Sequence, residues 1–368
     1  MARLLIYGAT GFTGRLIARQ AREHGVDAVL GGRDPAALRA LAAPLGLPWR
    51  AAALDRPEAL DAALSDMTAV LHVAGPYCTT ARPMADACLR TGTHYLDLSG
   101  ELPAFVDLSA SDGPARERGL MLMPGAGFVV AVSDCLAAEL ARHVPDARRL
   151  RIALSRADLF SRGTLRAMMG LVREGVSIRR GGALAAVPVG RLQRDFDFGA
   201  GSRHCTALSW ADVFTAWHTT GIPDIEVYVE ADALAQSLYQ TGAWLSLPLR
   251  LPAARRLMDW QARLWPEGPS RARRDAARRV IVAEVEDPWQ QRLAARLYTP
   301  DGYDLTPPIA LAIARRVLDG DWRPGFRTPA GVYGPQLVLG LPNVELEMLA
   351  SGPLRPMGAL PAAGLTPR

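Results

Sequence analysis

The first 130 residues alternate between short unbroken apolar runs and longer stretches whose apolar positions recur every three or four residues. Arg3–Tyr7 is apolar and ends at glycine, which predicts a buried strand. From Gly14 onward Leu16, Ile17 and Ala21 recur at helical spacing. Ala28–Arg33 predicts a second strand. DPAALRALAAPLG predicts a helix with Asp34 as N-cap and Pro35 in its first turn. Pro48–Asp55, Ala69–Tyr77, His94–Glu101 with its exit loop, and Leu120–Gly127 supply four more strands. A helix, ARPMADACLRTG, closes at Gly92 before the fifth. Buried strands alternating with crossover helices imply a doubly wound parallel sheet.

The pattern changes at about Arg148. RLRIALSRA predicts a strand entering a new sheet, and SRGTLRAMMGLVREG predicts a helix capped by Ser161 or Thr164. Ile225–Ala231 and Val280–Asp287 predict antiparallel strands. The fold class is therefore α/β: a Rossmann-type doubly wound parallel sheet with a second α+β domain. Residues 1–130 form the dinucleotide domain and 131–300 a substrate or dimerisation domain. Residues 301–346 form a C-terminal helical region, and the Pro, Gly and Ala of 347–368 predict a flexible tail.

The sequence places GATGFTG between the first strand and the first helix. The first glycine allows the turn, the second lets backbone approach a pyrophosphate, and the third packs helix against sheet. The helix N-terminus turns free N–H groups toward the phosphates. Gly8, Thr10, Gly11, Phe12 and Gly14 are thus the candidate cofactor residues of this turn. An NAD site needs a carboxylate ending the second strand. Here the strand ends Gly31-Gly32-Arg33, and a guanidinium pairs with a 2′-phosphate, so Arg33 points to NADP. Asp55 ends the third strand, where it meets the adenine amino group or caps the helix at Pro57. Ala74, Gly75 and Pro76 end the fourth strand, where the nicotinamide ribose is expected.

Composition narrows the chemistry. All 42 basic residues are arginine, so Schiff-base, P-loop and Tyr-x-x-x-Lys mechanisms are excluded. The four cysteines form no CxxC pair, which favours reduced thiols and a cytoplasmic location, with no metal site. LLIY is too short for the apolar core of a signal peptide, and no 18-residue apolar segment predicts a membrane span. The net charge of +5 is scattered, with RARRDAARR at 271–279 the densest cluster. A solvated helix face explains such a run better than nucleic-acid binding. Ser237–Trp265 combines apolar, aromatic and arginine positions. Packing on the core or on a second subunit of a homodimer is favoured over contact with a membrane surface.

Tyr77 follows the fourth strand as a candidate proton donor. Asp97 and Glu101 are candidate substrate or cofactor anchors, and Tyr95 shares a strand face with Asp97. The alternative makes Tyr95 a core aromatic and Asp97 a buried loop cap. Ser161, Gly163 and Thr164 form a helix N-terminus suited to a substrate carboxylate or to plain capping. His218 faces the cleft or caps the surface.

Together these stretches resemble the saccharopine dehydrogenase-like oxidoreductases, including the trans-acting enoyl reductases. The resemblance is carried by YGATGFTGRL, VAGPY, CLRTGTHYLDLSGE, PGAGFVVAVSDCLA, SRGTL, WHTTGIPDIEVY and GYDLTPPIALAIARRVLDG, in that order. It implies an NADP-binding Rossmann domain, a second α/β domain, and a C-terminal helix returning to the first. It also implies an NAD(P)-dependent oxidoreductase, and the leading expectation is reduction of a C=N, C=O or activated C=C bond in a small or lipid-like substrate. Lysine-forming saccharopine dehydrogenases are implied to use a catalytic lysine, which this chain lacks. A non-catalytic NADP-binding sensor or accessory protein is the alternative.

Overall fold

The structure is a computed structural model, and it describes residues 2–156, 176–231 and 268–351. The predicted helix containing Ser161, Gly163 and Thr164 and the segment Ser237–Trp265 lie outside the described residues.

The N-terminal part alternates as the apolar pattern requires. Its elements are β1 (Leu4–Tyr7), α1 (Phe12–Glu23), β2 (Ala28–Gly32), α2 (Pro35–Leu45), β3 (Trp49–Ala51), α3 (Pro57–Leu64), β4 (Ala69–His72), α4 (Tyr77–Thr91), β5 (His94–Asp97), α5 (Leu102–Ser109), α6 (Asp112–Glu117) and β6 (Met121–Met123). The strand order is β3-β2-β1-β4-β5-β6, every pair parallel. Leu4, Leu5 and Ile6 are fully buried because helices cover both faces of the central strand. On α1 the buried positions Gly14, Ile17, Ala18 and Ala21 form one stripe.

Two boundaries differ from the sequence reading. The fourth strand stops at His72 rather than Tyr77, because Tyr77 opens α4. The third strand is confined to Trp49–Ala51, within the stretch predicted to reach Asp55.

A long helix, α7 (Phe128–His143), leads into the second sheet. That sheet contains β7 (Arg149–Leu154), β8 (Val176–Arg180), β9 (Ala183–Val187), β10 (Gln193–Asp197), β11 (Ser202–Ala207), β12 (Asp224–Glu230), β13 (Arg279–Glu286) and β14 (Arg292–Thr299). Helices α8 (Asp212–Thr220) and α9 (Arg271–Ala276) interrupt it. The sheet is mixed rather than wholly antiparallel: β12 runs parallel to β7, and β13 antiparallel to both β7 and β14.

The chain then returns to the first sheet. Helix α10 (Gly302–Leu318) packs on α1, and β15 (Gly325–Phe326) adds a seventh parallel strand beside β6. Helices α11 (Pro329–Tyr333) and α12 (Gln336–Leu339) follow. The last strand, β16 (Glu345–Ser351), pairs with β14, and its last five residues fall in the stretch for which the composition predicts a loose tail. The alternating residues of ELEMLAS, masked by the Pro and Gly that follow, allow this pairing.

Candidate active site

The glycine turn is built by close approach of two strand exits. The N–H groups of Gly8 and Ala9 both donate to Gly31 O, at 2.9 and 3.1 Å, which ties the turn to β2. Gly8 has φ +88°, and a Cβ there would stand 2.9 Å from Ala74 and Val73 atoms at the exit of β4. Gly14 lies against the same turn. A Cβ on it would collide with Gly8 O and stand 2.8 Å from Ala9 Cα. Helix α1 can therefore seat directly on the turn. Its N-cap, Gly11, has no capping side chain, and its first turn has no acidic residue. The positive end of the helix is left open toward solvent, as a pyrophosphate cradle requires.

Arg33 stands exposed just after β2. The neighbouring carboxylate is already committed: Asp34 caps α2, accepting from Ala36 N at 2.9 Å and Ala37 N at 3.1 Å. A ribose 2′-hydroxyl would find no free acid there, whereas a 2′-phosphate would find a guanidinium. Asp55 is exposed too, and Arg56, not Asp55, is the N-cap residue of α3. Tyr7 links these groups. Its hydroxyl donates to Ala52 O at 2.9 Å. Burial pushes its pKa up to about 12, with the charge of Arg33 opposing and that of Asp55 adding. Both charged groups therefore act on the same ring from the β2 and β3 exits.

Phe12 and Thr10 take less direct places. The Phe12 ring packs edge-on against Tyr303 at 5.3 Å, beneath the Arg274 guanidinium at 5.7 Å, and against Gly268. Its side chain fastens the glycine turn to the second half of the chain, leaving its backbone N–H for the cradle. Thr10 O accepts from Arg15 Nη1 at 2.6 Å.

Beyond β4, the Ala74-Gly75-Pro76 loop is held from below. Thr80 Oγ1 donates to Ala74 O at 2.7 Å and sits 3.1 Å from His72 Nε2. With its proton given to the carbonyl, Thr80 accepts from His72, so the imidazole carries its proton on Nε2. His72 Nδ1 has no partner, and burial lowers the pKa to about 3. The ring packs among Tyr7, Tyr77 and Tyr95, with centroids 5.5, 5.6 and 6.2 Å away.

Tyr77, Asp97 and Glu101 come together here, each with a defined task. Glu101 accepts from Tyr77 N and Cys78 N, both at 2.9 Å, and so closes the N-terminus of α4. Asp97 is fully buried. It accepts from Tyr95 Oη at 2.6 Å, Ser99 N at 2.8 Å and Gly125 N at 2.9 Å. Burial raises its pKa to about 6, with those hydrogen bonds opposing and Glu101 adding. The Tyr77 hydroxyl is directed inward, 3.5 Å from His72 O. Burial, then the charges of Asp97 and Glu101, raise its pKa well above the usual value.

His218 is not brought to the glycine turn. It lies on α8 with its ring 4.6 Å from Phe214 and 5.3 Å from Phe326 on β15. Strand β15 is four strands from β1, roughly 19 Å across a sheet. Burial and Arg179 lower its pKa.

The sequence reading passed over Tyr7, His72 and a second polar hub. Asp134 on α7, fully buried, accepts from Thr219 Oγ1 at 2.6 Å and Ala330 N at 2.8 Å, joining α7, α8 and α11. Among the described residues neither carboxyl oxygen of buried Asp212 has a well-aligned donor, though the Ser133 hydroxyl is near enough to oppose the rise in its pKa. Only a polar residue inside an apolar helical stripe (VVAVSDCLA) hints at the hub in sequence. Among the described residues, no group of three or more His, Cys, Asp or Glu could hold a metal. No described helix is long and apolar enough to cross a membrane.

Comparison with known proteins agrees with this geometry. Residues 4–118 match the family model for the saccharopine dehydrogenase NADP binding domain. A trans-acting enoyl reductase of Mycobacterium leprae is 34% identical over 155 residues, which cover 39% of this chain and 37% of that protein. Its counterpart in Mycobacterium ulcerans is 35% identical over 141 residues, 36% of this chain and 33% of the relative. The chain thus matches little more than a third of the length of these relatives. Apo saccharopine dehydrogenase (L-Glu forming) of Saccharomyces cerevisiae superposes with a TM-score of 0.63 at 14% identity, covering 95% of this chain and 100% of that one. The homospermidine synthase of Legionella pneumophila, solved with NAD, gives 0.61 at 8% identity, over 98% and 94%. At those identities the likeness is one of fold. Residues 4–118 are thus similar to the saccharopine dehydrogenase NADP binding domain, and the fold that contains them is like that of saccharopine dehydrogenase.

Proposed function

We propose that the chain is an NADPH-dependent oxidoreductase that reduces a C=N, C=O or activated C=C bond in a small or lipid-like substrate. The observation that carries this reading is the open N-terminus of α1 on its two-glycine seat, with Arg33 exposed and Asp34 committed beside it. Gly8, Thr10, Gly11, Phe12 and Gly14 would cradle the pyrophosphate through backbone. Arg33 would pair with the 2′-phosphate, and Asp55 would meet the adenine. Ala74, Gly75 and Pro76 would line the nicotinamide ribose. The bound cofactor supplies the hydride.

The chain's own contribution is positioning. His72 and Thr80 hold the Ala74 carbonyl, Glu101 fixes the start of α4, and Asp97 ties the β5 exit to the Gly125 turn. Asp97 and Glu101 are thus positioning residues in this reading, and Tyr77 keeps its proton. The names of the mycobacterial relatives favour an activated C=C bond as the acceptor.

The test is NADPH oxidation followed at 340 nm against imines, carbonyls and enoyl thioesters, alongside melting with and without NADPH. The reading expects NADPH to raise the melting temperature and at least one acceptor class to consume it. A folded protein that NADPH does not protect would sink it. Protection without turnover on any class would favour a sensor or accessory role.

A further inference from the structure

The arginine run at 271–279 is not simply a solvated face. Helix α9 turns Arg274 inward, where it is 9% exposed. Its Nε donates to Asp304 at 2.8 Å and its Nη1 to Pro269 O at 3.0 Å. So pinned, the guanidinium lies over the Phe12 ring, 5.7 Å from its centroid. Tyr303, beside Asp304 at the start of α10, meets the same ring edge-on at 5.3 Å. Gly268 closes a third side: a Cβ there would stand 2.6 Å from three atoms of the ring. Three residues from the second half of the chain thus enclose one side chain of the glycine turn.

Phe12 is the first residue of α1. Its backbone N–H belongs to the opening turn of the helix, whose donors have no acceptor within it. The rest of the turn is fixed to the first sheet: Gly8 and Ala9 bond to Gly31 O, and Gly14 lies against Gly8 and Ala9. The Phe12 ring is therefore a point at which the second half of the chain bears on the open end of α1. A cation held over a desolvated ring face interacts more strongly than one in water, so ring and guanidinium keep each other in place. We propose that Arg274 is a positioning residue for the cofactor: acting through the Phe12 ring, it holds the first turn of α1 where its N–H groups meet the pyrophosphate. The inference rests on the cofactor reading above, and it makes NADPH affinity depend on the second half of the chain as well as on the glycine turn.

The test is calorimetric titration of the full chain with NADPH and with adenosine 2′-monophosphate, which carries the adenine and the 2′-phosphate but no pyrophosphate. Arg274→Ala is expected to weaken NADPH roughly 3- to 30-fold, the range of a desolvated cation–π contact, and to leave adenosine 2′-monophosphate within about twofold of wild type. Asp304, which loses its partner in this variant, is 34% exposed and stays hydrated. Phe12→Leu should cause a loss of similar size, and the double variant should lose no more than about twofold beyond the worse single one. If Phe12→Leu melts below the titration temperature, Arg274→Ala with the two ligands decides. Wild-type NADPH affinity in folded Arg274→Ala overturns the proposal. So does an equal loss for both ligands, which marks a general loosening of the fold. Losses that multiply in the double variant overturn it too, since Arg274 would then act on the cofactor independently of the ring. Wild type that binds neither ligand overturns the cofactor reading itself.

Discussion

Gly14→Ala perturbs the cradle at its tightest point. The added methyl would stand 2.8 Å from Ala9 Cα and 2.9 Å from Ala9 C, where ordinary contact begins at 3.4 Å, and nearer still to Gly8 O. All three are backbone atoms, so no side chain can swing aside. The turn or α1 must yield by at least about half an ångström. Overpacking of this kind costs about 1–3 kcal/mol of stability. The same movement shifts the first-turn N–H groups from the anion position. Losing one charge-assisted hydrogen bond of about 1.5–3 kcal/mol weakens NADPH roughly 10- to 150-fold. Calorimetric titration with NADPH, paired with thermal melting, measures both effects. Gly11→Ala provides a gentler variant, since its Cβ meets only Gly8 O at 3.3 Å: the fold should hold while affinity falls. Gly113→Ala in α6, where a Cβ meets nothing within 4 Å, should leave affinity alone. Wild-type NADPH affinity in folded Gly14→Ala and Gly11→Ala would refute the assignment of the turn.

Other predictions address the polar groups. Burial, with the Asp134 charge adding, raises the Asp212 pKa from 3.8 to about 7. A carboxyl whose folded pKa lies above its unfolded value stabilises the fold at low pH, and that contribution is lost as pH rises from about 4 through about 7. Asp212→Asn should therefore melt higher than wild type at pH 8, by up to roughly 4 kcal/mol of stability, and equally at pH 4; melting curves across that range decide it. Glu101→Ala removes the acceptor for two helix N–H groups and should cost about 1–2 kcal/mol in denaturant unfolding. Tyr77→Phe should change turnover less than threefold, because the hydroxyl is directed at His72 O; a loss of 100-fold or more would restore it as the proton donor.

The layout of the first sheet was legible because β1, β2, β4, β5 and β6 are buried. Most of these read as short apolar runs beside a glycine, and Gly8, Gly14 and Asp34 carry their turn, packing and capping roles in local spacing. Short-range pattern could not show that Tyr77 begins a helix: its N–H finds Glu101, 24 residues away. Nor could it show His72 beneath the loop, since a histidine inside AVLH reads like any other strand residue. Nor could local spacing show that the Phe12 ring packs away from the turn, since its contacts come from Gly268, Arg274 and Tyr303. The edge strand β15 is two residues long, too short for any period to mark it. The arginine run read as one solvated face, because helical spacing alone does not reveal that Arg274 turns in against Asp304 and Phe12.

The central claim is that this cradle selects the 2′-phosphate through Arg33. Calorimetric titration of wild type and Arg33→Ser with NADPH and NADH tests it most directly. The account predicts that wild type binds NADPH at least tenfold more tightly than NADH, and that Arg33→Ser loses this preference with NADH affinity unchanged. Equal affinity of wild type for the two cofactors, or a preference that survives Arg33→Ser, would contradict it.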